Sequence, residues 1–158
     1  MALSQVQQSE ADNESLRAEL LAQFNAVLET RLTARGLIVN MSGMLFQTGK
    51  ATLVPGAREK LAKIAGILST HKGLMVEADG FTDSTGTASF NLRLSGQRAG
   101  NAMDYLVAQG VPANAISSKG FGVENPVADN GTAAGRQENR RVELVVTGVG
   151  ITARPAGD

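Results

Sequence analysis

The chain has 158 residues, of which 42% are hydrophobic and 19% charged, and its 15 basic residues balance 15 acidic ones. That is the composition of one domain with a core plus an appendage, and neither a disordered tail nor a membrane protein. With no basic excess and only 4% aromatic residues it is a poor nucleic-acid binder, and with no cysteine it has no disulfide, thiol nucleophile, thiolate metal site or Cys-linked lipid.

Residues 3–32 read as a helix, because Leu16, Leu20, Phe24 and Val27 recur at helical spacing and Gly and Pro are absent until Gly36. Leu21 and Leu28 widen the stripe, and the Gln- and Glu-rich turns upstream are polar. Such a stripe serves either a coiled coil or partner helix, or a helix that lies against its own domain. The first thirty residues lack the basic start and apolar run of a signal peptide, and no stretch approaches the ~18 apolar residues of a spanning helix.

From Gly36 the rhythm changes. Leu37 to Met41 is a β-prone run that bends at Gly43. Pro55 suits the first turn of a helix whose face is Leu61, Ile64, Ala65 and Leu68, ending near Lys72-Gly73. Leu74 to Ala78 is a second strand. A loop from Gly80 to Thr87 leads into a long helix, about Ser89 to Gln109, with Leu92, Ala99, Ala102, Met103 and Leu106 inward and Gly110 at its end. Ile116 to Phe121 is a third strand, followed by a long connection punctuated by Gly122, Pro126, Gly131 and Gly135. In the last strand, Arg140 to Val146, Val142, Leu144 and Val146 alternate with Arg141 and Glu143. The order is a helix, then β-α-β-α-β-β: an α/β (α+β) two-layer sandwich with helices on one face of a mixed sheet. The division is an N-terminal helical segment at 1–35, a domain at 36–147 and a loose tail at 148–158.

Catalytic chemistry has little to draw on. His71 is the single histidine and follows a helix end, so it is read as a solvated turn residue, and histidine triads and zinc hydrolases lack their partners. Gly43 to Ala51 imitates a phosphate loop but has five intervening residues and Ala where the magnesium-holding hydroxyl belongs. Gly120-Phe121-Gly122 lacks the third glycine of a dinucleotide fingerprint. Asp79 and Asp83 flank a loop without the calcium-loop pattern. No enzyme activity, metal or cofactor is expected.

The informative stretch is Gly80-Phe81-Thr82-Asp83-Ser84-Thr85-Gly86, then Asn91, Leu94-Ser95 and Arg98-Ala99. Asp83 leaves the end of a strand, where α/β folds place ligand sites. Asn91 and Arg98 are seven residues apart, hence within ~20° around one helix, with Ser95 between them. An acid thus faces a basic and polar stripe. The spacing alone fits an internal Asp–Arg salt bridge as well as a ligand site.

These residues, with Gly110-Val111, Gly120-Phe121-Gly122, Pro126, Asn130, Gly135-Arg136 and Asn139-Arg140-Arg141-Val142-Glu143, resemble the OmpA-like C-terminal domain over roughly residues 36–147. Leu45-Phe46 and Gly49-Lys50-Ala51 are similar to that family's opening segment. The resemblance implies a non-catalytic module that binds the peptide stem of peptidoglycan through its diaminopimelate residue and anchors an envelope protein to the wall. It implies that Asp83 receives the side-chain ammonium, Arg98 clamps the carboxylate, Asn91 hydrogen-bonds the peptide, and Thr82 and Leu94 shape the pocket. Asn139, Arg140 and Arg141 match too and are read as holding the long loop against the last strand. The chain departs from the family pattern at Phe81, where many members carry His, and at Met44 and Gln47, which replace acidic residues; Met44 and Phe46 are free to touch the N-terminal helix. A periplasmic, outer-membrane-associated location is implied for the full-length protein, with self-association or partner docking through the N-terminal helix as the competing role.

Overall fold

A computed structural model describes residues 2–148 and 151, with side chains from residue 10 onward. Its elements run α1 (Ala2–Asn25), β1 (Thr30–Thr33), β2 (Gly36–Ser42), α2 (Pro55–Thr70), β3 (Met75–Phe81), α3 (Ala88–Ala108), β4 (Ile116–Gly122), α4 (Ala133–Asn139) and β5 (Arg141–Thr147). The five strands lie in the order β1-β2-β5-β3-β4. Only β3 and β4 pair in parallel, and α3 is their crossover. This is the expected two-layer α+β sandwich with a mixed sheet.

Alternation sorts the two faces of the sheet. Leu37, Val39, Met41, Val76, Ala78, Val142, Leu144 and Val146 point into one core with Leu61, Ile64 and Ala65 of α2 and Ala99, Ala102 and Leu106 of α3. The opposite face carries Arg31, Glu77, Asp79, Lys119, Arg141 and Glu143. There Phe81 stacks on Phe121 with centroids 5.2 Å apart, and the Arg141 guanidinium lies 4.0 Å from the Phe81 ring. Phe81 is thus a packing residue at the head of β3.

Two elements went unrecognised in the sequence. The helix expected to reach residue 32 stops at Asn25, whose Oδ1 accepts the Thr30 N–H at 2.9 Å. The β-branched Thr30 and Thr33 then turn the chain into strand β1 against β2. The second is α4, inside the connection read as irregular. The Thr132 hydroxyl caps it by accepting the Gly135 N–H at 2.9 Å. Gly135 is there for closeness: a Cβ would sit 1.8 Å from the Asp129 carbonyl oxygen.

The apolar stripe of α1 is used inside the molecule. Leu20 and Phe24 are fully buried, and with Leu28 they belong to the core formed by α2 and the sheet. Met44 does not join them; it is 72% exposed. Most of the tail from 148 lies outside the described residues, but Ile151 is buried against the core.

On α3 the expected inward face is wrong at its N-terminal half. Leu92 is exposed, and the inward positions are Asn91, Ser95 and Arg98. The helix lies so close to the sheet that a Cβ on Gly80 would be 2.0 Å from the Ser95 carbonyl oxygen. This contact seats the polar residues of α3 over the end of β3.

Candidate functional site

The loop after β3 is braced from three sides. The Thr82 N–H donates to Gly122 O at 2.7 Å and its hydroxyl to Asp83 O at 3.0 Å. The Asn91 side-chain amide, on α3, donates to Thr85 O at 2.9 Å and more weakly to Asp83 O at 3.5 Å. Ser95 Oγ accepts the Gly122 N–H at 2.9 Å, tying α3 to the end of β4. Thr82 and Asn91 are buried and act on the loop backbone, while Leu94 is half-buried beside them on α3.

Asp83 is 5% exposed. Its Oδ1 accepts the Thr85 N–H at 2.7 Å, and its Oδ2 is ion-paired with Arg140. Burial alone would push this carboxyl up, but the Thr85 N–H and the Arg140 guanidinium outweigh it and hold it below the ordinary carboxylate value. Arg140 also donates to Gln137 Oε1 at 2.7 Å. The family resemblance groups Arg140 with Asn139 and Arg141 as support for the long loop. Asn139 and Arg141 do hold the loop, through Val127, Ala128 and Asn125. Arg140 instead turns to the site, because side chains alternate as α4 gives way to β5.

Arg98 is 3% exposed and forms no ion pair among the described residues. Its Nε donates to Lys50 O at 2.8 Å and its Cζ lies 5.1 Å from the Phe46 ring centroid. No acceptor among the described residues meets its terminal nitrogens. Burial lowers the pKa of this guanidinium and nearby Arg140 lowers it further, with Asp83 opposing. The segment that imitates a phosphate loop supplies this setting: Lys50 O and Ala51 O accept from Arg98 and Asn101, and Phe46 is the platform.

Arg98 and Arg140 line one cleft of about 500 Å³ with Met44, Phe46, Thr48, Gly49 and Gln137. Two guanidiniums therefore converge beside a single carboxylate, and that carboxylate is paired with Arg140. Of the residues singled out in the sequence, Asp83 and Arg98 come to the same place without bonding each other. Arg140, Phe46, Met44 and Gln137 complete it. The motif Asn139-Arg140-Arg141 carries the signal for Arg140 in its alternation, which turns Arg140 away from the side taken by Asn139 and Arg141.

Other features do not compete. A cleft of about 540 Å³ on the outer sheet face holds Arg141 and Glu143, which neutralise each other at 2.8 Å. His71 closes α2 at the opposite end of β3 from Asp83. Among the described residues no group of His, Asp or Glu could hold a metal ion, and no helix is long and apolar enough to cross a membrane.

The profile of the OmpA family matches residues 45–140, which contain every residue of this cleft from Phe46 to Arg140. The chain belongs to the OmpA family. Over 112 residues it is 40% identical to the probable lipoprotein YiaD of Escherichia coli K12, covering 70% of this chain and 51% of that protein. Over 101 residues it is 44% identical to the peptidoglycan-binding protein ArfA of Mycobacterium tuberculosis H37Rv, covering 64% of this chain and 31% of that protein. It therefore spans about half the length of the first of these relatives and about a third of the second. Its fold matches the cell wall anchor of the type VI secretion system (T6SS) from Pseudomonas aeruginosa with a TM-score of 0.71 and 29% identity, over 84% of this chain and 96% of that one.

Proposed function

We propose that this chain is a non-catalytic module that binds peptidoglycan and anchors an envelope protein to the cell wall. The observation that carries the reading is Arg98, a buried guanidinium that lines an open cleft and forms no ion pair among the described residues. An unpaired buried charge is costly, and a carboxylate from outside would offset it. The names of two relatives agree with it: ArfA is a peptidoglycan-binding protein and the secretion-system protein a cell wall anchor.

The ligand group is the side-chain head of diaminopimelate in the stem peptide. Its carboxylate takes both terminal nitrogens of Arg98, the planar match that guanidinium favours. Its ammonium is directed toward Asp83. Thr82 and Asn91 fix the loop that carries Asp83, and Leu94 lies against the pocket. Wall binding places the domain in the periplasm, on the inner side of an outer membrane. The N-terminal helix buries Leu20 and Phe24 in its own domain, so these two residues of its apolar stripe are not open to a partner.

Calorimetric titration separates this from a wall-independent role. A stem peptide carrying diaminopimelate should bind, and the same peptide with lysine in its place, whose side chain ends in an ammonium without a carboxylate, should bind at least about tenfold more weakly. Equal response to both, or to neither, overturns the assignment.

A further inference from the structure

Arg98 and Arg140 line the cleft, Asp83 reaches it through Arg140, and these charges are unequal. Arg140 and Asp83 neutralise each other, and Gln137 holds Arg140 in that pose at 2.7 Å. Arg98 is left with its backbone acceptor and an aromatic ring, neither of which cancels its charge. An arriving carboxylate therefore meets one free guanidinium, with Arg140 as a second positive charge in the same cleft. An arriving ammonium meets a carboxylate whose outer oxygen already has a cation on it, and it must share with Arg140 or displace it.

Resting on the diaminopimelate reading above, we infer that this cleft is a carboxylate trap: affinity is set by the ligand's side-chain carboxylate, the ammonium contributes little, and amidation of that carboxylate in the wall peptide switches binding off. A carboxamide has the shape of a carboxylate but only one strong acceptor and no charge, and its NH₂ would face guanidinium N–H groups. It would leave the Arg98 charge buried and unmatched. The module thereby distinguishes wall segments by the amidation state of their peptides.

The test uses three stem peptides titrated calorimetrically into the whole chain: one with free diaminopimelate, one with its side-chain carboxylate converted to the carboxamide, and one with 2-aminopimelate, which keeps the carboxylate and lacks the ammonium. The carboxamide should lose about tenfold to a hundredfold in affinity and the deaminated peptide less than about tenfold. In Arg140→Gln the penalty for deamination should grow, because Asp83 is then open to the ammonium. If deamination is the more damaging change, the inference is overturned while the diaminopimelate reading stands; if the carboxamide binds as well as the acid, both are overturned. If no peptide binds, both fall.

Discussion

Asp83 and Arg98 do not pair: the carboxylate is held by Arg140, which lines the same cleft as Arg98, and the terminal nitrogens of Arg98 meet no acceptor among the described residues. An Asp83–Arg98 salt bridge would have closed the site on itself. The third residue, Arg140, prevents that and keeps the cleft positive.

Replacing Arg98 should separate binding from stability. Arg98→Gln removes a buried charge together with one bond to Lys50 O and one ring contact, so its effect on folding should stay within about 1 kcal/mol. Affinity for a carboxylate-bearing wall peptide should fall by at least about tenfold. Urea unfolding and calorimetric titration on the same preparations check the two halves.

Asp83 should matter to stability in acid. Its folded-state pKa lies below the ordinary 3.8, so it stabilises the fold above that value and the contribution is lost as pH falls through the lower, folded value. Asp83→Asn should cost on the order of 1–3 kcal/mol at pH 6 and progressively less below about pH 4. Denaturation curves at pH 6 and pH 3 report the difference.

Asp79 should act in the opposite direction. It is fully buried on the outer face of β3, opposite Glu143 and Lys119, with Oδ1 unpartnered and Oδ2 3.2 Å from Arg35, which also reaches Glu77 at 3.4 Å. Burial first, then the neighbouring Glu77 carboxyl, push its pKa up to about 7. A raised carboxyl pKa favours the fold while the group is protonated, and that advantage is lost as pH climbs from about 4 through 7. Asp79→Asn should therefore be the more stable protein at pH 8, by on the order of 1–3 kcal/mol, and should flatten the decline between pH 5 and pH 8. Thermal melts across that range test it.

Gly80→Ala should damage the site from a distance. Its Cβ would fall 2.0 Å from the Ser95 carbonyl oxygen, so α3 must lift from the sheet. The expected loss is about 1–3 kcal/mol or more of stability, together with weaker binding, because Asn91 and Arg98 ride on that helix. Unfolding curves and peptide titration on one preparation should both respond.

Most of the fold could be read from the chain because local pattern and tertiary use agreed: Pro55 starts α2, Gly110 ends α3, and Val142, Leu144 and Val146 are the inner row of β5. The reading failed where a residue's role was set by what lay across from it. Thr30 to Thr33 is a strand because β2 is beside it. Leu92 faces outward because Asn91, Ser95 and Arg98 take the inward positions, reversing the usual polarity of a helix at its functional end. Asp83 and Arg98 were visible as a motif. Arg140 was visible too, but its partner is 57 residues away in the chain and only the folded sheet brings them together.

Co-sedimentation with purified sacculi probes the role of Arg98 most directly, comparing the unaltered chain with Arg98→Gln after circular dichroism has shown both to be folded. The expected result is that the unaltered chain pellets with the wall while the variant stays in the supernatant. A folded Arg98→Gln protein that pellets equally well would show that the unpaired guanidinium is not what holds the wall.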